Sequence, residues 1–158
     1  MVTTCRLLLL LALVVILPTG TRGTCGDSEV GGIANGFYCY LFSHELMNFY
    51  DANALCEHMD FDYYYQDSVE YDAELFQALN YYGRRGEYWT SGNDLTWEGV
   101  WAWAEFDYHI MEEAFDNWAP NRPSIDSRRN CLYIRYDGGS AMWYDGNCQL
   151  RKHALCFG

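Results

Sequence analysis

The stretch of sequence that decides the fold runs from Trp97 to Cys156. It reads WEGVWAW at positions 97–103 and NWAPNRP at 117–123, followed by a cysteine at 131, WYDGNC at 143–148 and a last cysteine at 156. Aromatic residues that alternate with small ones, as in the first segment, predict a strand with one packed face. Cys131 and Cys148 flank an Asp-Gly-Gly turn, which predicts a hairpin region closed by a disulfide.

This ordered set of motifs resembles the C-type lectin-like domain. Members of that family carry a strand with alternating aromatics, then Asn-Trp-x-x-x-x-Pro in a long loop, then a cysteine, a Trp-Asn-Asp-x-x-Cys segment and a final cysteine. The match covers about Cys25 to Cys156. The resemblance implies an α+β protein with the C-type lectin-like fold, in which two helices flank antiparallel sheets beside a long loop region, with three disulfides. It indicates the fold more directly than the function, because function depends on a site grafted on the fold.

The length of 158 residues suits one domain. Residues 1–23 are typical of a secretory signal peptide, because Arg6 precedes an apolar run from Leu7 to Leu17. The alternative is a membrane anchor, but these 11 apolar residues fall short of the about 20 that span a bilayer. We therefore expect residues 24–158 to form one secreted, extracellular domain without a membrane span.

The charge of the chain is strongly negative, at −12 with neutral histidines. Loss of the predicted signal peptide removes Arg6 and Arg22 and leaves 8 basic and 22 acidic residues, a net charge of −14. This charge excludes nucleic acid as a partner, because such binding requires Lys and Arg to neutralise phosphates. It also disfavours anionic membranes and leaves cations or basic surfaces as possible partners.

Six cysteines remain after residue 23, and an even number in a secreted chain predicts a disulfide framework. The sequence alone permits about 15 pairings. The resemblance implies one of them: Cys25–Cys39, Cys56–Cys156 and Cys131–Cys148. Zinc binding is disfavoured because the sequence has no Cys-x-x-Cys and no paired histidines at metal-ligand spacing.

Helical spacing of apolar residues predicts two helices. The first follows Asn48 as its N-cap and places Phe49, Ala52, Leu55 and Cys56 inward. The second starts at a capping-box-like Asp67 and Glu70, with an apolar stripe of Val69, Ala73, Phe76 and Leu79. Strands are expected at 61–65, 88–92, 100–104, 131–136 and 154–157.

The calcium site of the family is the main functional question. The resemblance implies ligands from a Glu-Pro-Asn or Gln-Pro-Asp triplet, a glutamate just before a cysteine, and the Asn-Asp after a tryptophan. Here these positions hold Arg122-Pro123-Ser124, then Arg129, then Tyr144-Asp145. Calcium takes six to eight oxygen ligands, and a guanidinium cannot coordinate a cation. We therefore predict that the sugar-type calcium site is absent and that the protein has no cofactor.

Two further observations accompany that prediction. Asp94 and Glu98 resemble two ligands of an auxiliary calcium site, and they are the remaining metal candidates. Their companions here are Ile125 and Asn130, which disfavours a metal there as well. The resemblance also suggests a cis bond between Arg122 and Pro123.

Two hypotheses describe what replaces the metal. In the first, Arg122 or Arg129 pairs with Asp145 or another loop acid, and the guanidinium holds the loop in place of the ion. In the second, Arg122, Arg128 and Arg129 form a basic patch that takes sulfate, a uronic acid or sialic acid. The candidate ligand-binding residues are Arg122, Ser124, Arg128, Arg129, Tyr144 and Asp145.

The function predicted from these observations is binding and not catalysis, because no recognisable catalytic motif occurs. The leading hypothesis is a secreted C-type lectin-like protein that recognises a glycan or glycoprotein without long-loop calcium. WTSGND at 89–94 and EGVWAW at 98–103 are similar to invertebrate humoral lectins, which suggests innate defence. The alternative is a calcium-independent protein-binding or mineral-matrix module of the same fold.

Overall fold

The computed structural model describes residues 32–35, 38–82, 85–104, 108–110 and 115–158. The predicted signal peptide, the start of the domain at residue 24 and Cys25 lie outside these ranges. The Cys25–Cys39 bridge therefore stays a prediction.

Nine strands and two helices form the described part of the chain. In order they are β1 (Gly32–Asn35), β2 (Tyr38–Met47), α1 (Phe49–His58), β3 (Asp62–Tyr63), α2 (Val69–Tyr82), β4 (Gly86–Asn93), β5 (Ala102–Trp103), β6 (Tyr108–His109), β7 (Cys131–Tyr136), β8 (Ala141–Gly146) and β9 (Lys152–Phe157). The strands at 61–65 and 100–104 are thus shorter than expected.

The sheet is mixed, which corrects the expectation of antiparallel sheets. Its strand order is β1-β2-β9-β4-β5-β6, with β3 paired to β9 and with β7 joining β4 to β8. All described pairs are antiparallel except β4 with β9, which run parallel. A parallel pair needs a long connection, and the chain between β4 and β9 supplies one.

Helix α1 forms as predicted. The Asn48 side chain accepts a hydrogen bond from the backbone N–H of Asp51 at 2.9 Å, which caps the helix. Phe49, Ala52 and Cys56 are its buried residues. Cys56 forms a disulfide with Cys156 across 100 residues of sequence, which ties α1 to β9. In the chain-entropy model, a disulfide that closes a loop of that length stabilises the folded protein by about 4 to 5 kcal/mol.

Helix α2 differs in detail from the prediction. Its first turn is capped by Ser68, whose hydroxyl accepts from the N–H of Tyr71 at 3.3 Å. Val69 is 64% exposed and Ala73 is exposed as well, so the predicted stripe is wrong at its first two residues. Among the side chains that the structure describes in α2, Leu75, Ala78 and Leu79 are buried. Apolar residues at 75 and 76, and again at 78 and 79, fit two neighbouring helix faces, and packing against the sheet selects one of them.

The hairpin of β7 and β8 is confirmed, with Cys131–Cys148 bonded at its open end. The long loop docks on β8 through two backbone hydrogen bonds. The N–H of Ala119 donates to the carbonyl of Trp143 at 2.9 Å, and the N–H of Trp143 donates to the carbonyl of Asn117 at 2.8 Å. These bonds bring the loop residues after 119 over the end of β8.

The core is rich in tryptophan. Trp101, Trp103 and Trp143 are each 0–1% exposed, as expected for core residues. Trp143 makes edge-on contacts with Trp103 and Trp118, at ring-centre distances of 5.5 and 5.7 Å. Trp118 of the long loop and Trp143 of β8 therefore pack in the same aromatic cluster.

Candidate functional site

Asp145 stands at the centre of the candidate site, near the end of β8. Its side chain is completely buried, and its Oδ1 accepts a hydrogen bond from Arg122 Nη1 at 3.1 Å. Its Oδ2 accepts from Arg129 Nε at 2.8 Å and also from the Ser124 hydroxyl. Arg129 Nη2 donates to the backbone carbonyl of Asp145 at 2.8 Å. We name these four residues the Asp145 cluster.

The carboxylate of the Asp145 cluster finds its hydrogen-bond donors and its counter-charges within the cluster. Burial acts to raise the pKa of Asp145, but the hydrogen bond from Ser124, a backbone hydrogen bond and the two arginines hold that pKa below its ordinary value. Asp145 is therefore ionised at neutral pH, and with Arg122 and Arg129 it leaves a net charge of +1. The arginine side chains are 27% and 32% exposed, so each presents an edge to solvent.

The pairing hypothesis is confirmed, and with both arginines at once. Arg122 and Arg129 approach Asp145 from the two ends of the loop between Arg122 and Cys131. The Arg122–Pro123 peptide bond is cis, as the resemblance suggested.

Arg128 lies outside the Asp145 cluster. It forms a two-point ion pair with Asp126, with Nε donating at 2.9 Å and Nη2 at 3.0 Å. Its side chain is 81% exposed. Arg128 and Arg129 nevertheless line one cavity of about 210 Å³, together with Asp126, Tyr133, Gly146, Asn147 and Leu150.

Tyr144 covers one side of the cluster. Its ring stacks on the ring of Tyr133 with centres 5.5 Å apart and an angle of 19°. The Arg122 guanidinium lies 5.9 Å from the centre of the Tyr144 ring. This distance is within the range of a cation–π contact, so Tyr144 helps to orient Arg122.

One polar pair near the site was missed from the sequence. Lys152 is 4% exposed, and its Nζ forms an ion pair with Glu87. The same Nζ lies 3.8 Å from the centre of the Tyr133 ring and 5.1 Å from that of Trp89. The strand period could have indicated the burial of Lys152, though not its partner, because Lys152, Ala154 and Cys156 alternate onto one face of β9.

The two remaining metal candidates, Asp94 and Glu98, differ in burial. Asp94 is 4% exposed, and its Oδ2 accepts from the N–H of Gly99 at 2.8 Å. Glu98 is exposed. Burial raises the pKa of Asp94. Within the residues that the structure describes, no group of three or more His, Cys, Asp or Glu side chains could hold a metal ion.

The calcium ion of the family does not fit the Asp145 cluster. Its one carboxylate already accepts from two guanidinium groups and a hydroxyl. Arginine offers no lone pair to a cation. The donor set is therefore that of an ion-pair cluster and not that of a metal site.

The family model of the Lectin C-type domain matches residues 45–157. The chain belongs to the C-type lectin domain family. Perlucin from Haliotis laevigata is 27% identical to this C-type lectin domain over 119 residues, which cover 75% of this chain and 74% of perlucin.

Solved C-type lectin structures share the fold. The carbohydrate-recognition domain of mouse scavenger receptor C-type lectin superposes with a TM-score of 0.69 at 22% identity, covering 83% of this chain and 95% of that one. A calcium-independent type II antifreeze protein gives 0.67 at 18% identity, covering 83% and 93%. In the described part of this C-type lectin domain, no helix is long and apolar enough to cross a membrane.

Proposed function

We propose that this protein is a secreted C-type lectin that binds glycans or glycoproteins without calcium in its long loop. The observation that carries the proposal is the occupation of Asp145 by Arg122, Arg129 and Ser124. In this arrangement the arginines hold the long loop against β8, which is the structural task that a metal ion performs by bridging ligands.

Electrostatics favours the ion pairs over a bound cation. A calcium ion at Asp145 would have to displace both guanidinium groups from a buried carboxylate. The two displaced guanidinium groups would then remain close to the ion beside a buried carboxylate. Such like-charge contacts are costly where the effective dielectric constant is low.

Related structures support the two halves of the proposal. The mouse protein of the same fold is described as a carbohydrate-recognition domain. The antifreeze protein of the same fold is described as calcium-independent. A glycan-binding role and a calcium-free long loop are thus each compatible with this architecture.

An acidic glycan is the ligand class that suits the exposed edges of the arginines. A guanidinium has five N–H donors, and Arg129 uses only Nε and Nη2 within the cluster. Carboxylates and sulfates accept such donors in pairs. The cavity of about 210 Å³ beside Arg128 and Arg129 offers Asn147 as a further polar group. Arg122, Ser124 and Tyr144 complete the proposed binding surface.

Several other assignments belong to the same proposal. Secretion, the signal peptide at 1–23, the Cys25–Cys39 bridge and a role in innate defence are expected of such a protein. Binding is preferred to catalysis, because the lowered pKa of Asp145 makes its carboxylate a weak base toward the Ser124 hydroxyl.

The experiment is a glycan array that contains sulfated, sialylated and neutral glycans, read in buffer with EDTA. We expect binding to acidic glycans that EDTA leaves intact. Arg128→Gln should weaken it at least tenfold while preserving the Asp145 cluster, and Arg135→Gln on the exposed side of β7 is the matched control. Failure of every acidic and neutral glycan, or binding that EDTA abolishes, would contradict the proposal.

The second candidate function is a calcium-independent protein-binding or mineral-matrix module. The net charge of −12 favours it, since an acidic surface suits a basic protein or a cationic mineral face. Adsorption to calcium carbonate or capture of a defined basic protein, combined with a blank glycan array, would favour this candidate.

A further inference from the structure

Two adjoining cavities lie outside the Asp145 cluster, beside the loop that joins β4 to β5. Their volumes are about 420 and 400 Å³, within the range of small-molecule sites. They share Asn93 and Ala104 as lining residues, so they form one continuous groove. We name it the Trp97 groove after its most exposed aromatic residue.

The groove exposes an unusual amount of apolar surface. Trp97 is 70% exposed, Tyr50 48%, Leu95 46% and Val100 40%. Each of these side chains lines one of the two cavities. An exposed apolar patch of this kind marks an interaction site more often than it marks an inert surface.

The described residues that line the groove carry no charge. Its lining residues are Phe49, Tyr50, Asn53, Tyr63, Asn93, Leu95, Thr96, Trp97, Val100, Ala102, Trp103 and Ala104, and none of them is ionisable at neutral pH. In the whole chain, by contrast, 20% of the residues are charged. A charged ligand would find no ion-pair partner among these described residues, whereas a neutral ligand would meet no repulsion from them.

The loop that carries Trp97 is held in one conformation. Its start is fixed by Asn93, whose side-chain oxygen accepts from the N–H of Leu95 at 3.2 Å. Its end is fixed by the buried Asp94, which accepts from the N–H of Gly99 at 2.8 Å. The N–H of Val100 closes the turn on the carbonyl of Trp97 at 2.8 Å. Trp97 is therefore presented to solvent on a braced turn, which lowers the entropic cost of binding.

We propose that the Trp97 groove binds a neutral oligosaccharide. Trp97 and Tyr50 offer flat apolar faces for the C–H side of a sugar ring, and Asn53 and Thr96 offer hydrogen-bonding groups for its hydroxyls. The inference rests on the proposed function in that the ligand is a glycan, but it assigns a second site and a different class of glycan.

Other occupants fit the groove less well. A second copy of this chain brings a net charge of −12 against an equal charge, which opposes self-association. A basic peptide would require acidic residues in the lining.

The test uses ligand-observed NMR and calorimetry with three neutral tetrasaccharides, built from glucose, mannose and N-acetylglucosamine. We expect at least one of them to bind the natural protein in EDTA. Trp97→Ala should weaken that binding at least tenfold, and Tyr50→Ala should weaken it as well. Tyr81→Ala, which removes an 81% exposed aromatic ring from α2, is the matched control and should leave it unchanged.

Each contrary outcome has a distinct meaning. If no tetrasaccharide binds, the Trp97 groove proposal fails, and the acidic glycans of the array decide the proposed function separately. If Arg129→Gln abolishes neutral binding while Trp97→Ala preserves it, the sugar lies at the Asp145 cluster and the groove proposal is wrong. A dimer in sedimentation that Trp97→Ala abolishes would also overturn it, in favour of a second copy.

Discussion

The ammonium group of Lys152 lies 3.8 Å from the centre of the Tyr133 ring, and that ring also stacks on Tyr144. Arg122 in turn lies 5.9 Å from the centre of the Tyr144 ring, so each of the two stacked tyrosines is in contact with a cation. This series connects the interior of β9 with the Asp145 cluster. The shape of the candidate site therefore depends on a buried charge as well as on the loop itself.

The first prediction concerns that buried charge. Glu87→Gln leaves the Lys152 ammonium without its carboxylate, whereas Lys152→Met removes the charge and keeps most of the volume. We expect Glu87→Gln to lower the free energy of unfolding by about 2 kcal/mol and Lys152→Met by less, since an uncompensated buried charge costs more than a lost pair. Urea unfolding measures both. The reverse order would contradict the interpretation.

The second prediction compares two aspartates of the long loop region. Asp145→Asn removes the charge that holds Arg122 and Arg129, and we expect it to lower the free energy of unfolding by about 2 to 3 kcal/mol. This is below the full cost of breaking a buried pair, because both arginines are partly exposed. Asp126→Asn, which breaks the exposed pair with Arg128, is the control and should change stability little. Equal losses in the two variants would argue against a special role for Asp145.

The third prediction follows from the lowered pKa of Asp145. A carboxyl whose folded-state pKa is depressed contributes stability above its unfolded pKa of about 3.9 and loses it as pH falls through the folded value. The stability difference between the natural protein and Asp145→Asn should therefore be constant near neutral pH and shrink below about pH 4. Denaturant unfolding across this range measures it. A difference that grows on acidification would be inconsistent with the ionised cluster.

Much of the fold could be predicted because it depends on local signals and on a recognisable order of cysteines. The Asn48 cap, the closing of the β7–β8 hairpin and the Cys56–Cys156 bridge are of this kind. The face of α2 could not be fixed, because Leu75 and Phe76 satisfy two helical stripes equally well until the sheet selects one.

One part of the candidate site could be predicted, because this chain has arginines at positions where the family pattern has calcium ligands. Arginines at former ligand positions face Asp145, as charge alone requires. The sequence did not indicate that Arg128 would instead pair with Asp126 two residues away. Nor did it indicate the Glu87 partner of Lys152, because an ion pair between β4 and β9 depends on the register of two distant strands.

The last prediction introduces the calcium ligands of the family pattern at the matching positions of this chain. Arg122→Glu, Ser124→Asn, Arg129→Glu and Tyr144→Asn together restore the family pattern around Asp145. This change converts a net charge of +1 at Arg122, Arg129 and Asp145 into −3, and it places oxygen ligands where guanidinium groups stood. We expect millimolar calcium to raise the melting temperature of this variant and EDTA to reverse the rise. A ligand at about 100 times its dissociation constant adds about 2.7 kcal/mol of stability.

The natural protein should show no such calcium-dependent rise, because its Asp145 is occupied by arginines. Addition of Asp145→Asn to the restored variant is the control, since it removes the central ligand and should cancel the effect. A natural protein that calcium stabilises and EDTA destabilises would refute the calcium-free long loop. A restored variant that folds but ignores calcium would show that the position of the loop, and not charge alone, excludes the ion.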